Sequence, residues 1–377
     1  MALARTEDQL ILQSTAREFV AANAPVTHLR GLRDAKDATG FSRELWKEMA
    51  KLGWAGLTFD EASGGSGLGY EELAVLFEEC GRTLVPSPFL ASSVFGAECV
   101  RRGAPAEVAR SILSGVAQGD TLLAVALDET PHFAPYAVET RAEASGDGYR
   151  LSGRKCFVLD GHVADKLVVV ARTSGVPGDR DGLTLFLVDR VARGVEVTRT
   201  IMVDSRNAAI VALEGAEAER VLGEVDRGAD VLDPALDRAT AALCAEMLGL
   251  MTEAFEQTIE YLKTREQFGV KIGTFQALKH RAATMFCEIE LARSIVRETM
   301  TAIDEDGPDV PTLVSVAKAR CSDAASLITR EMLQMHGGIG MTDEADIGFY
   351  LKRARVAELT FGDASHHRDR FGQLQGY

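Results

Sequence analysis

Between residues 121 and about 228 the hydrophobic period of this chain changes from that of helices to that of strands, and afterwards it changes back. TLLAVAL (121–127), KLVVVAR (166–172), LTLFLV (183–188) and VEVTRT (195–200) are short runs rich in β-branched residues. Turn formers separate them, SGDG at 145–148 and SGVPGDRDG at 174–182. No helix of useful length intervenes to carry parallel crossovers. The segment is therefore expected to form an antiparallel sheet domain and not a doubly wound nucleotide fold.

The flanks read as helices. In residues 1–120, Leu10, Ile11, Ala16 and Phe19 fall near one face of a first helix, and LWKEMAKLGWAGL (45–57) carries another that ends near Gly53. The glycines at 64, 65, 67 and 69 precede a further helix. A phosphate loop needs a preceding strand and GxGxxG spacing, so a tight, close-packed turn is expected instead. From 229 to 377 the helical period persists. Leu248, Met251, Phe255, Ile259 and Leu262 line one face, and Met285, Ile289, Ala292 and Val296 another. Further helices are expected over about 311–335 and 343–357. Long apolar stripes joined by short loops indicate an antiparallel bundle. The expectation is an α+β chain of three segments: an N-terminal helical domain (1–120), a middle β domain (121–228) and a C-terminal four-helix bundle (229–377).

The net charge of −15 argues against nucleic-acid or anionic-membrane binding, which need a basic surface. Six cysteines without a CxxC pair read as free thiols in a reducing compartment. With no secretion signal and no stretch of about 20 apolar residues, a cytoplasmic protein without a membrane span is expected.

Four motifs in order resemble the acyl-CoA dehydrogenase family. YLKTREQFGVKIGTFQALKHRAATM (261–285) holds Arg265, Phe268-Gly269 and Phe275-Gln276 at that family's spacing. QMHGGIGMT (334–342) resembles its Gln-x-x-Gly-Gly-x-Gly motif. EASGGSG (61–67) resembles its N-terminal loop, and GRKCFVLDGHVADKLVVVAR (153–172) its β-domain hairpin. The resemblance covers essentially the whole chain and implies a three-domain fold, FAD as cofactor and an acyl-CoA thioester as substrate. It also implies α,β-dehydrogenation, in which a glutamate removes the α-proton and the β-hydrogen leaves as hydride, with an electron-transfer flavoprotein or similar acceptor.

This chain departs from the family at the base. The family's Ile-Tyr-Glu-Gly-Thr-x-Gln corresponds here to LTFGDAS, with Phe361 where the glutamate belongs. Some relatives carry the base 26 residues before the motif arginine, and here that position is Ala239. Neither side chain can take a proton. Asp237, Glu246 and Asp363 are the acids left nearby. Asp237 is rotated roughly 200° from position 239 and Glu246 lies about 10 Å along the helix. The adjacent His366 and His367 suggest a metal centre when read alone, but no other ligand motif supports one. A solvated helix start capped by Asp363 or Ser365 is expected there, with no metal.

In the family dimer the flavin is shared between subunits, so the resemblance implies two sets of contacts. The set that reaches into the neighbour is intact: Arg265 for pyrophosphate, Phe268 packing on the cofactor, Gln276 toward the adenosine end, and Gln334 with Gly338 lining the same region. The same-subunit set is eroded. Asp128 stands at the position of a flavin-binding threonine, Phe157-Val158-Leu159 replaces Trp-Ile-Thr, and Asp363 and Ser365 replace threonine and glutamine. One-sided erosion is similar to the smaller subunits of α2β2 bacterial acyl-CoA dehydrogenases, including the small pimeloyl-CoA dehydrogenase type. The alternatives are a self-sufficient homotetramer with a displaced acidic base, or a non-enzymatic acyl-CoA-binding or assembly protein.

Overall fold

The computed structural model describes residues 5–377. The N-terminal stretch forms α1 (Glu7–Asn23), α2 (Val26–Asp34), α3 (Arg43–Lys51), α4 (Tyr70–Thr83), α5 (Ala97–Gly103) and α6 (Ala106–Ala117). Eight strands follow: β1 (Leu123–Ala126), β2 (Arg141–Ser145), β3 (Gly148–Leu159), β4 (Lys166–Arg172), β5 (Leu183–Asp189), β6 (Val195–Ile201), β7 (Asn207–Glu217) and β8 (Arg220–Leu222). The rest is α7 (Ala229–Thr264), a small hairpin of β9 (Glu266–Gln267) and β10 (Val270–Lys271), then α8 (Gln276–Asp304), α9 (Val310–His336), α10 (Ile347–Leu359) and α11 (Ala364–Leu374). By packing the chain divides into two compact units, one of residues up to 31, 70–85 and 240–377, the other of 32–69 and 86–239. The N-terminal helical segment thus contributes to both.

In the second unit the strands run in the order β6-β7-β3-β2-β4-β5-β8. The pairings are antiparallel except at β4, which β1 joins in parallel from Leu123↔Lys166 to Ala126↔Val169 and β2 touches at one parallel bridge. That parallel edge departs from the purely antiparallel expectation. The β2–β3 hairpin lies between β1 and β4 in sequence, and this gives the chain room to return in the same direction. Leu151, Leu167, Val169, Phe186 and Val211 make the core of the sheet. β3 is interrupted opposite β7, where the register shifts between Lys155 and Val158. The glycine cluster is the expected tight turn. Gly64 has φ 78°, and a Cβ on Gly65 would come within 2.2 Å of the Phe59 carbonyl oxygen.

In the first unit, Met285, Ile289, Ala292 and Val296 of α8 are all buried, as the periodicity predicts. The face of α1 is different. Leu10 and Ile11 are exposed, while Gln9, Ala16 and Val20 are buried. Gln9 is satisfied by Glu71 (3.1 Å) and Glu72 (2.9 Å) on α4, so a polar residue occupies the packed face. α4 and α7 cross at glycines: a Cβ on Gly81 would lie 2.1 Å from the Glu246 carbonyl oxygen, and one on Gly249 1.8 Å from that of Glu78. Among the described residues no helix is long and apolar enough to cross a membrane.

Candidate functional site

The turn after α10 carries the C-terminal base position. Phe361 is buried and adopts a left-handed φ of 60°, a conformation that surrounding structure must impose on a non-glycine residue. Two side chains impose it. Lys318 of α9, with no exposed surface, donates from Nζ to the carbonyls of Glu358 (2.9 Å) and Gly362 (2.6 Å). His367 Nε2 donates to the Phe361 carbonyl at 2.9 Å. Burial pushes the Lys318 ammonium down to about 8. It also pushes His367 down to about 3, so that ring is neutral.

The acids near the two base positions have other partners. Asp363 is the N-cap of α11, its Oδ1 accepting the His366 backbone N–H at 2.9 Å. That bond holds the carboxylate below its usual range and makes it a poor base. Glu246 is buried and paired with Arg353 at 3.0 Å. Ala239 and Asp237 are both buried on α7, Asp237 only 4% exposed. The helix start around His366 is capped by Asp363 as expected, but His367 is buried within it and not solvated. Among the described residues no group of three or more His, Cys, Asp or Glu side chains is placed to hold a metal.

The residues of the reaching set sit on the hairpin after α7, at the start of α8 and at the end of α9. Arg265, Phe268, Gln276, Gln334 and Gly338 are all exposed. Phe268 is 91% exposed, in a left-handed φ of 54°, with its ring edge-on to Phe275 at a centroid separation of 6.2 Å. The Arg265 guanidinium and the amides of Gln276 and Gln334 make no hydrogen bond to other described residues. A free guanidinium, two free amides and an outward aromatic suit the phosphates and rings of FAD. Behind them His336 stacks on Tyr261 at 4.3 Å and bonds Met332 O at 2.7 Å, a structural role.

The eroded set lies at the end of β1. The Asp128 carbonyl accepts the Cys156 N–H at 2.7 Å, and the bulge that follows turns Phe157 outward, 45% exposed with φ 51°. Lys155 is fully buried, but its Nζ bonds Glu129 (2.7 Å) and Leu127 O (3.0 Å), not Asp128. Burial, only partly opposed by Lys155, pushes the Asp128 carboxyl up to about 7. The sequence alone gives Asp128 as an anion. Tertiary burial raises that carboxyl toward neutrality. Lys318, His367 and the Lys155–Glu129 pair also escaped sequence reading, since nothing local marks a lysine or histidine that is buried by distant segments.

Comparison with known proteins agrees with this architecture. Family models for the acyl-CoA dehydrogenase N-terminal, middle and C-terminal domains match residues 6–120, 129–212 and 226–373. Acyl-CoA dehydrogenase IpdE2 of Mycobacterium tuberculosis is 31% identical over 350 residues, covering 92% of this chain and 91% of that protein. Among solved structures, the Tcur3481-Tcur3483 steroid ACAD matches with 34% identity, a TM-score of 0.89 and 98% of each chain covered. The ChsE4-ChsE5 complex from Mycobacterium tuberculosis matches with 28% identity, a TM-score of 0.89 and all of each chain covered. The chain belongs to the acyl-CoA dehydrogenase family, FAD-dependent oxidoreductases that act on CH–CH bonds of acyl-CoA thioesters.

Proposed function

We propose that this chain is the non-catalytic subunit of an α2β2 acyl-CoA dehydrogenase, similar to the small pimeloyl-CoA dehydrogenase type, and completes the FAD site of a homologous, glutamate-bearing partner. FAD, when bound, supplies the hydride acceptor, and an electron-transfer flavoprotein or similar carrier reoxidises it. The residues of this chain bind and orient. Arg265 neutralises pyrophosphate, Phe268 packs on the cofactor, and Gln276, Gln334 and Gly338 line its adenosine end. The observation that carries the reading is the pairing of an inert, rigidly held Phe361 with exposed, unpartnered flavin contacts. The acids that a displaced-base enzyme needs are otherwise engaged, Glu246 by Arg353 and Asp363 by its cap. Of the two solved neighbours above, one is the complex ChsE4-ChsE5 and the other bears a paired name, Tcur3481-Tcur3483. By analogy with the steroid dehydrogenase among them, we infer a bulky, ring-bearing acyl-CoA as substrate.

The test is reconstitution with the product of the adjacent gene. Expected are a yellow heteromer that forms enoyl-CoA, an inactive isolated chain, and loss of flavin from the heteromer on Arg265→Gln. Full dehydrogenation by the isolated chain, or unchanged flavin content in Arg265→Gln, overturns the reading.

A further inference from the structure

The turn between α9 and α10 carries Gly338, and it is open where a ligand would meet it. A Cβ on Gly338 would find nothing within 4 Å. At its start the turn is held by its own chain. The Gly337 N–H caps α9 on Gln334 O and Leu333 O, with a left-handed φ of 65°. Thr342 closes the turn, its N–H (3.1 Å) and its Oγ1 (2.8 Å) both donating to Ile339 O. Beyond Thr342 the chain is exposed through Asp343 and Glu344 before α10 begins. Here the hold comes from 313 residues away in sequence. Arg30 of α2 donates from Nη1 to the carbonyl of Asp343 and to its Oδ2 (3.1 Å), and from Nη2 to Asp346 Oδ1 (2.7 Å). The same guanidinium lies over the buried ring of Phe349 on α10, 4.8 Å from its centroid. Asp346 stands just before α10, where a carboxylate can accept a first-turn N–H. It makes no such bond and is turned to Arg30.

We propose that Arg30 is a positioning residue for the flavin contacts made in trans. By clamping Asp343, Asp346 and Phe349 it fixes the far end of the 337–346 turn, and so holds Gly338, with Gln334, in the shape that the adenosine end of a partner's FAD requires. This deepens the reading above and rests on it. The arrangement needs arginine. Its planar fork sends two nitrogens to two acceptors while its face stays free to stack on Phe349. A lysine is a point charge on a flexible stem and cannot bridge both carboxylates and stack at once. The Arg30 side chain is only 21% exposed, so water competes with the clamp only in part. Without the clamp the exit of the turn is left to an exposed stretch of chain. Apparent affinity for flavin then falls by the fraction of time the turn spends in the binding shape.

The experiment uses the reconstituted heteromer for flavin and the isolated chain for the turn. If the released turn keeps the binding shape for about one tenth of the time, the FAD dissociation constant of an Arg30→Gln heteromer rises about tenfold. Turnover at saturating FAD is expected to stay at the wild-type value, because Arg30 acts on how the flavin is held and not on the reaction. Hydrogen exchange of the backbone amides of 339–346 in the isolated chain is expected to speed up in the same variant, while α9 keeps its protection. Arg30→Lys is expected to recover little of the affinity. Unchanged exchange in the turn, an unchanged dissociation constant, a fall in turnover with the dissociation constant kept, or full recovery in Arg30→Lys overturns the proposal. Arg265→Gln separates the two readings. If it loses flavin while Arg30→Gln keeps it, only this proposal fails; if it keeps flavin, the role in trans fails and this proposal with it.

Discussion

Glu246 decides between a displaced-base enzyme and a subunit without a base, and its surroundings give the expected size of the effect. Its carboxylate lies 3.0 Å from Arg353 Nη1, with both side chains almost wholly buried, 6% and 2% exposed. Removing one partner of such a pair strands a buried charge and costs about 3–5 kcal/mol. Glu246→Ala regains only a few tenths of a kcal/mol in helix propensity. The expected loss is therefore about 3–4 kcal/mol, or a Tm drop on the order of 10 °C for a unit of this size. Glu246→Leu combined with Arg353→Met removes both charges, and is expected to recover at least half of that loss, because well-packed apolar replacements of buried pairs are often neutral. The assay is urea denaturation followed by circular dichroism on wild type, both single variants and the double variant. A Glu246→Ala protein within about 1 kcal/mol of wild type, or a double variant as unstable as the sum of the singles, refutes the reasoning. Catalysis by Glu246 predicts the opposite pattern, with stability unchanged in Glu246→Gln and turnover lost.

Two further predictions concern the frame around the site. Lys318 has its ammonium pKa lowered by burial to about 8, so above that pH the folded chain holds fewer protons than the unfolded one and stability rises with pH. Relative to Lys318→Met, wild type is expected to gain about 3 kcal/mol between about pH 8 and about pH 10.4; a gap that stays flat or narrows in denaturant titrations across that window contradicts the burial argument. Gly249→Ala would place a Cβ 1.8 Å from the Glu78 carbonyl oxygen and is expected to cost upward of about 3 kcal/mol by forcing α4 and α7 apart. Gly372→Ala on α11, where nothing lies within 4 Å, is expected to be neutral or to stabilise by up to about 1 kcal/mol, and thermal melts of the two variants separate close packing from propensity.

The parts of the fold legible in the sequence are those whose signal is periodic and local. Met285, Ile289, Ala292 and Val296 announce the buried stripe of α8, and KLVVVAR and LTLFLV announce two central strands. The motif residues Arg265, Phe268, Gln276 and Gln334, proposed as flavin contacts, stand at fixed spacings in the sequence, and the fold sets them on one hairpin and two helix ends. What failed to read locally was settled across long sequence separations. α1 turns Gln9 inward because two glutamates of α4 are there to receive it, and no pattern within the helix says so. The parallel pairing of β1 with β4 depends on where the chain is led by the hairpin between them.

By itself the sequence determined the alternation of helical and strand segments, the family spacing of the residues proposed to contact flavin and the absence of a carboxylate at positions 361 and 239, because residue identity and period are properties of the chain. Only the tertiary structure decided the charge states. Asp128 sits near neutrality, Lys318 is poised to lose its proton, His367 is neutral and Glu246 is tied to Arg353. The free energy of a charge depends on how much water the fold leaves beside it and which distant groups the fold brings near.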